Sequence, residues 1–211
     1  MLFKTERIYQ KLLEMKNSGG CGMHYFPDQN LFFLHLSKTG GTSIHKTLIK
    51  YFSEVELTEK RLIELSNTWI DTKSLVVIRN IYTKIISEYN HIYKNGYKPG
   101  SFNRYLKTIK NEKKIQHPTN EGAFSNFGNK YNELSQKVFI TLNESIFFNN
   151  VINFENFESD LKTFYKKIKI DEKEAIKKLN VNNEKIFTEL NKKQKEKVYQ
   201  IFKDDIDYFG W

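Results

Sequence analysis

The sequence predicts an α/β protein: a central parallel β-sheet flanked by helices, with a helical C-terminal third. Three observations predict it. Leu31–Leu36 (LFFLHL) is an apolar run of strand length that stops at a polar turn containing Gly40 and Gly41, and Ile44, Leu48, Ile49 and Phe52 then recur at helical spacing. Leu75–Ile78 repeats the arrangement, ending at Arg79-Asn80 before a helical pattern over Ile81–Tyr93. Strand, charged turn and helix occurring twice argue for βαβ units. Beyond Phe157, helical periodicity dominates, over Phe157–Ile168, Glu172–Leu179 and about Asn191–Phe202.

The remaining elements follow in order. Met1–Asn17 reads as an amphipathic helix with Phe3, Ile8, Leu12 and Met15 on one side; its scattered charges do not suit a secretion signal. Asn17–Gly22 reads as a loop, and His24–Asn30 leads into the first strand. The helix after the glycines is expected from about Thr42 to Phe52, with Thr42 and Ser43 as good cap residues. Glu54–Leu57 is a short strand or turn. Thr58 caps a helix carrying Leu62, Ile63 and Leu65. Lys94–Gly100 is a loop and Phe102–Ile109 a helix. Gln116–Asn129 is the longest irregular stretch, and long loops tend to carry function. Val138–Thr141 and Val151–Phe154 are the last strand candidates.

With 211 residues, one domain is expected over 1–211. Aromatics make up 15%, so Phe and Tyr must fill much of the core. Three prolines and ten glycines argue against linkers and disorder. The net charge of +9 suits a polyanionic partner, although lysines spread over helix faces serve solubility equally well. The single Cys21 excludes an internal disulfide and a cysteine-built zinc site, and no metal-ligand cluster shows in the spacing. No run approaches the ~18–20 apolar residues of a membrane span. The chain is read as cytoplasmic, without a membrane span and without a nucleic-acid motif.

Lys38-Thr39-Gly40-Gly41-Thr42-Ser43 carries the chemistry. A glycine turn feeding a helix offers free N–H groups and the positive end of the helix dipole, and Lys38 adds a full charge. Such a site takes a phosphate-like anion. The nucleotide-triphosphate version needs G-x-x-x-x-G-K-[ST], which is absent because the lysine precedes the glycines.

This run instead resembles the 5′-phosphosulfate loop of sulfotransferases that use 3′-phosphoadenosine-5′-phosphosulfate (PAPS), and more closely the carbohydrate (heparan/chondroitin-type) branch, with Ser37 where a proline is usual. Arg79-Asn80-Ile81-Tyr82-Thr83-Lys84, with Ser87 and Tyr89, is similar to that family's 3′-phosphate motif; Ile81 replaces a proline and Lys84 an arginine, keeping the charge but losing the planar fork. Phe154–Leu161 and Asp205–Trp211 resemble two further family segments, with Glu155 and Asp160 read as structural. The likeness covers roughly Leu31–Trp211 and leaves residues 1–30 outside.

The resemblance implies a P-loop-like sulfotransferase fold and PAPS as co-substrate, with no metal required. It implies that Lys38, Thr39, Gly40, Gly41, Thr42 and Ser43 hold the 5′-phosphosulfate, with Lys38 catalytic, and that Arg79 and Ser87 bind the 3′-phosphate. The acceptor it implies is a hydroxyl or amine of a glycan or small metabolite. The family's general base is a His or Glu. Glu56 and His117 are the two candidates here, beside the plain readings of a helix-capping glutamate and a solvated loop histidine. His35 reads as a core residue; His45 and His91, on the helices after the two anion motifs, read as helix-surface residues or as residues lining the cleft. Two rival classes stand beside this one: a P-loop kinase or NTPase, and a non-enzymatic basic protein binding polyanions, for which the Lys162–Lys178 region speaks.

Overall fold

A computed structural model of the chain describes residues 2–18, 21–96, 100–110, 135–176 and 187–211. The chain divides into two compact units, Met1–Ile78 with Phe139–Val181, and Arg79–Val138 with Asn182–Trp211.

The first unit holds the main sheet. Helix α1 (Leu2–Ser18) precedes β1 (Cys21–Phe26), β2 (Leu31–Leu36), α2 (Gly41–Tyr51), α3 (Glu59–Asn67) and β3 (Lys73–Ile78). The second unit's insertion ends at Val138, within the short helix α6 (Lys137–Ile140), and the first unit resumes with the two-residue strands β4 (Thr141–Leu142) and β5 (Ser145–Ile146), then β6 (Asn150–Asn153) and α7 (Phe157–Lys167). The sheet order is β1-β2-β3-β6. Strands β2, β3 and β6 are parallel, as the repeated strand–turn–helix pattern requires, with Leu34 opposite Val76 and Ile78 opposite Asn153.

The sheet is nevertheless mixed. Strand β1 pairs antiparallel with β2, Cys21 against Leu36 and Phe26 against Leu31. The expected loop over Asn17–Gly22 and lead-in over His24–Asn30 are corrected accordingly. The hairpin closes through a 3₁₀ turn at Pro27–Gln29, with Asn30 left-handed at φ 46°. One face of the sheet packs Phe33, Leu75, Val77 and Ile152 against Ile44 and Leu48 of α2 and Leu161, Phe164 and Tyr165 of α7. Phe32 points to the other face, its ring 5.3 Å from Trp69 and 6.1 Å from Phe148. On α1, Ile8, Leu12 and Met15 are buried. Each fully buried side chain of this size contributes about 1.5–3 kcal/mol.

The second unit is helical. It holds α4 (Ile81–Lys94), α5 (Phe102–Lys110), α8 (Lys192–Ile201) and α9 (Lys203–Phe209). Its core joins Ile81, Ile85, Tyr89 and Ile92 of α4 to Tyr105 and Ile109 of α5 and to Val198, Phe202 and Ile206. A complete capping box at Asn191 and Gln194 starts α8. Gly210, at φ 71°, ends α9 in the left-handed cap that glycine favours.

Val138–Thr141, expected as a strand, is mostly the short helix α6. Its cause lies 68 to 69 residues downstream. The Asp205 carboxylate accepts the N–H groups of Gln136 (2.6 Å) and Lys137 (3.1 Å) and the Ser135 hydroxyl, as an N-cap supplied from α9. Glu172–Leu179 forms a 3₁₀ turn over Glu172–Ile176; its last residues, with the loop Gln116–Asn129 and His117, lie outside the described residues.

Candidate anion site and its neighbours

The glycine turn sits where the sheet delivers it, beyond the carboxyl end of β2 and beside the carboxyl end of β3, where ligands bind in α/β sheets. Two of its residues are left-handed, Lys38 at φ 58° and Gly40 at φ 86°. Such a conformation in a lysine costs of order 1–3 kcal/mol and gathers at functional sites. Between them Thr39 is fully buried, and its hydroxyl donates to the Leu36 carbonyl at 2.9 Å, which fixes the turn. Phe154 and Phe157 wall the turn on one side: a Cβ on Gly40 would stand 3.1 Å from both rings.

Helix α2 starts one residue earlier than its sequence suggests. Gly40 is the N-cap and supplies no side-chain cap, so Thr42 and Ser43 stand inside the first turn rather than capping it. The N–H groups of Gly41 and Thr42 occupy positions that have no intrahelical acceptor. Gly41 must be glycine, because a Cβ there would lie 2.1 Å from the His35 ring. The loop therefore brings an uncapped helix N-terminus, a lysine and two glycines to one sheet end, which together favour an anion.

Arg79, directly after β3, belongs to the second unit and is held by its backbone. Its N–H donates to Gln136 Oε1 at 2.8 Å, and its carbonyl accepts Gln136 Nε2 at 2.7 Å. Gln136 is in turn fixed by Asp205. The guanidinium Nε donates to Thr83 Oγ1 at 3.1 Å. Asn80 caps α4 by accepting the Tyr82 N–H at 3.0 Å, which starts the helix at Ile81 without a proline. Ser87 is half-buried on α4. Lys84 is buried, and that burial lowers its pKa to about 8 against the opposing pull of Glu88 and Asp205. Asp160 accepts the Asn153 N–H at 3.0 Å, a structural role as its position suggested.

No protein-family model, no curated protein and no solved structure matches this chain. Among the described residues, no helix is long and apolar enough to cross a membrane.

Beside the turn lies a group the spacing did not disclose. The Glu54 carboxylate bridges two imidazoles, His24 Nδ1 on β1 and His45 Nε2 on α2, each at 2.7 Å. The two rings stack with centroids 3.9 Å apart, and His35 lies 6.2 Å from His24. Burial would raise the Glu54 carboxyl, but the hydrogen bonds from His45 and His24 outweigh it and hold the pKa below its ordinary value. Burial lowers His24, with Glu54 opposing. Burial also takes His35 down to about 4, aided by His24, His45 and Lys38, so it is neutral at pH 7. The isolated bridge between Val55 and Tyr25 places Glu54 by tying its loop to β1. Glu56, the predicted base, is exposed two residues further on. His91 lies on α4 near Asn95, away in sequence from this group.

Proposed function

We propose that the chain is a PAPS-dependent sulfotransferase acting in the cytoplasm on a hydroxyl or amine of a glycan or small metabolite. The observation that carries the reading is the Ser37–Ser43 turn: an uncapped helix start, glycines that let a ligand reach the backbone, and a lysine ahead of them. The resemblance of both donor motifs gives that anion its identity. Lys38 and the N–H groups of Gly41 and Thr42 bind the 5′-phosphosulfate, with Thr39, Gly40 and Ser43 shaping the turn. Arg79 and Ser87 take the 3′-phosphate, a pairing of guanidinium and hydroxyl with phosphate oxygens.

Sulfuryl transfer runs as phosphoryl transfer does, in line and with charge spread over equatorial oxygens. The acceptor atom bonds to sulfur while the bond from sulfur to the 5′-phosphate oxygen breaks, leaving adenosine 3′,5′-bisphosphate. Lys38 and the backbone donors offset the charge that grows on the leaving phosphate. The acceptor's proton passes to a general base, for which Glu56 and His117 are the candidates.

A thermal-shift titration tests the reading. Adenosine 3′,5′-bisphosphate without magnesium is expected to raise the melting temperature, and ATP with magnesium to have no comparable effect. The reverse pattern would favour the kinase reading. A second reading has one observation of its own: Lys162, Lys166, Lys169 and Lys173, with Asp171 and Glu172 among them, line an open surface basin in the first unit. A steeply salt-dependent affinity for a polyanion, without any nucleotide response, would favour a binding protein.

A further inference from the structure

We propose that His24, His45 and Glu54 form a binding site for a late first-row divalent cation, with Zn2+ as its best representative. The inference does not depend on the sulfotransferase reading. Each residue offers one ligand atom, and these atoms lie within 4.8 Å of one another. The three come from separate parts of the first unit: β1, the first half of α2, and the loop after it. Two imidazole nitrogens and one carboxylate are the donor set that zinc sites use, and imidazole selects this group of metals over Mg2+ and Ca2+.

The dimensions fit. With metal–ligand bonds of about 2.0–2.1 Å, ligand atoms in a tetrahedral site stand about 3.3 Å apart. The two nitrogens, within 4.8 Å of each other, need close by no more than about 1.5 Å to reach that spacing, while their 2.7 Å contacts to the Glu54 oxygens open slightly. The anchors for doing so are in place, since His24 sits in a paired strand, His45 in a helix, and Val55 is bridged to Tyr25. Side-chain exposure is 15% for His24, 26% for His45 and 32% for Glu54, so the site is shielded yet reachable by an ion.

The ring nitrogens are already aimed at one carboxylate: His24 Nδ1 and His45 Nε2 each stand 2.7 Å from a Glu54 oxygen, and the two rings stack with centroids 3.9 Å apart. Three protein ligands would leave a fourth position for water or a substrate oxygen, the arrangement of an open rather than a closed zinc site. His45 follows Gly41 by one helical turn, so a cation here would add positive charge on the flank of the anion-binding turn.

The test uses the full chain, without a histidine tag, after chelator treatment. Isothermal titration with Zn2+ should give one site per chain, and Mg2+ should give no heat. Co2+ should produce the intense visible bands of a low-coordinate site. His45→Ala and Glu54→Gln should each weaken Zn2+ binding by at least about tenfold, because even outer-shell changes cost 10–100-fold. His91→Ala should leave it unchanged. Far-UV circular dichroism establishes that each variant is folded, and His24→Asn serves as a third ligand variant if either of the first two unfolds. Absence of saturable Zn2+ binding, or binding that survives the ligand variants, would overturn the proposal and leave a hydrogen-bonded cluster only.

Discussion

Gly41→Ala reports directly on the packing that shapes the anion turn. In an ordinary helix this change stabilises by up to about 1 kcal/mol, since alanine restricts the unfolded chain and favours the helix. Here the added methyl would meet His35 Cδ2 at 2.1 Å and Cγ and Nε2 at 2.7 Å. The ring cannot easily yield, because it stacks on Phe33 at 6.0 Å and faces His24 at 6.2 Å. Overpacking of this kind costs about 1–3 kcal/mol, occasionally more. The variant is therefore expected to lose about 2 kcal/mol overall. In a His35→Ala background the obstruction is gone, and the same substitution should be neutral or stabilising. The coupling between the two positions should reach about 2–3 kcal/mol. Urea unfolding of the four proteins, with slopes compared to detect changes in the unfolded state, measures it. If Gly41→Ala matched the parent in stability, or had the same effect in both backgrounds, the proposed contact between turn and ring would be wrong.

Other outcomes follow from the same structure. Lys38→Ala should cut sulfo-group turnover more than donor binding, whereas Arg79→Ala should mainly raise the donor KM; steady-state kinetics separates the two, and full activity in both would refute the donor assignment. Asp205→Ala removes the acceptor of two backbone N–H groups and a hydroxyl, each worth about 1–3 kcal/mol when orphaned, so chemical denaturation should show a loss of about 3–5 kcal/mol. Through Gln136 it should also erode the preference for adenosine 3′,5′-bisphosphate over AMP in a binding titration, while an equal loss for both nucleotides would deny it a part in holding Arg79. Cys21 is pushed up from 9.0 to about 11 by burial, with a hydrogen bond from Ser18 opposing. At pH 8 its alkylation should run roughly a hundredfold slower in the folded chain than in urea. The folded state keeps this proton longer than the unfolded one, so the thiol's contribution to stability is complete below pH 9 and is lost as pH rises toward 11.

What the sequence disclosed depended on how local each signal was. The glycine turn, the two buried strands around it, the Thr58 cap and the helices at Ile81 and Phe157 are set by neighbouring residues, and they stand where the pattern put them. Strand β1 was hidden because it begins among glycines and carries His24 and Tyr25 where an apolar alternation would be sought; antiparallel pairing with β2, not its own composition, makes it a strand. Val138–Ile140 is an apolar run too short for its period to be read, and a carboxylate on α9 decides that it turns into helix. The His24–Glu54–His45 group spans thirty residues of sequence and exists only once β1 and α2 flank the same strand. Glu56 drew attention in its place because a single sequence reveals residue types, not which of two nearby glutamates faces inward.

The most direct test of the account is a crystal structure of the chain with adenosine 3′,5′-bisphosphate. It should show the 5′-phosphate about 3 Å from the N–H groups of Gly41 and Thr42 and from Lys38, with the 3′-phosphate on Arg79 and Ser87. A nucleotide bound away from the Ser37–Ser43 turn, or a soaked crystal with no nucleotide at all, would contradict it.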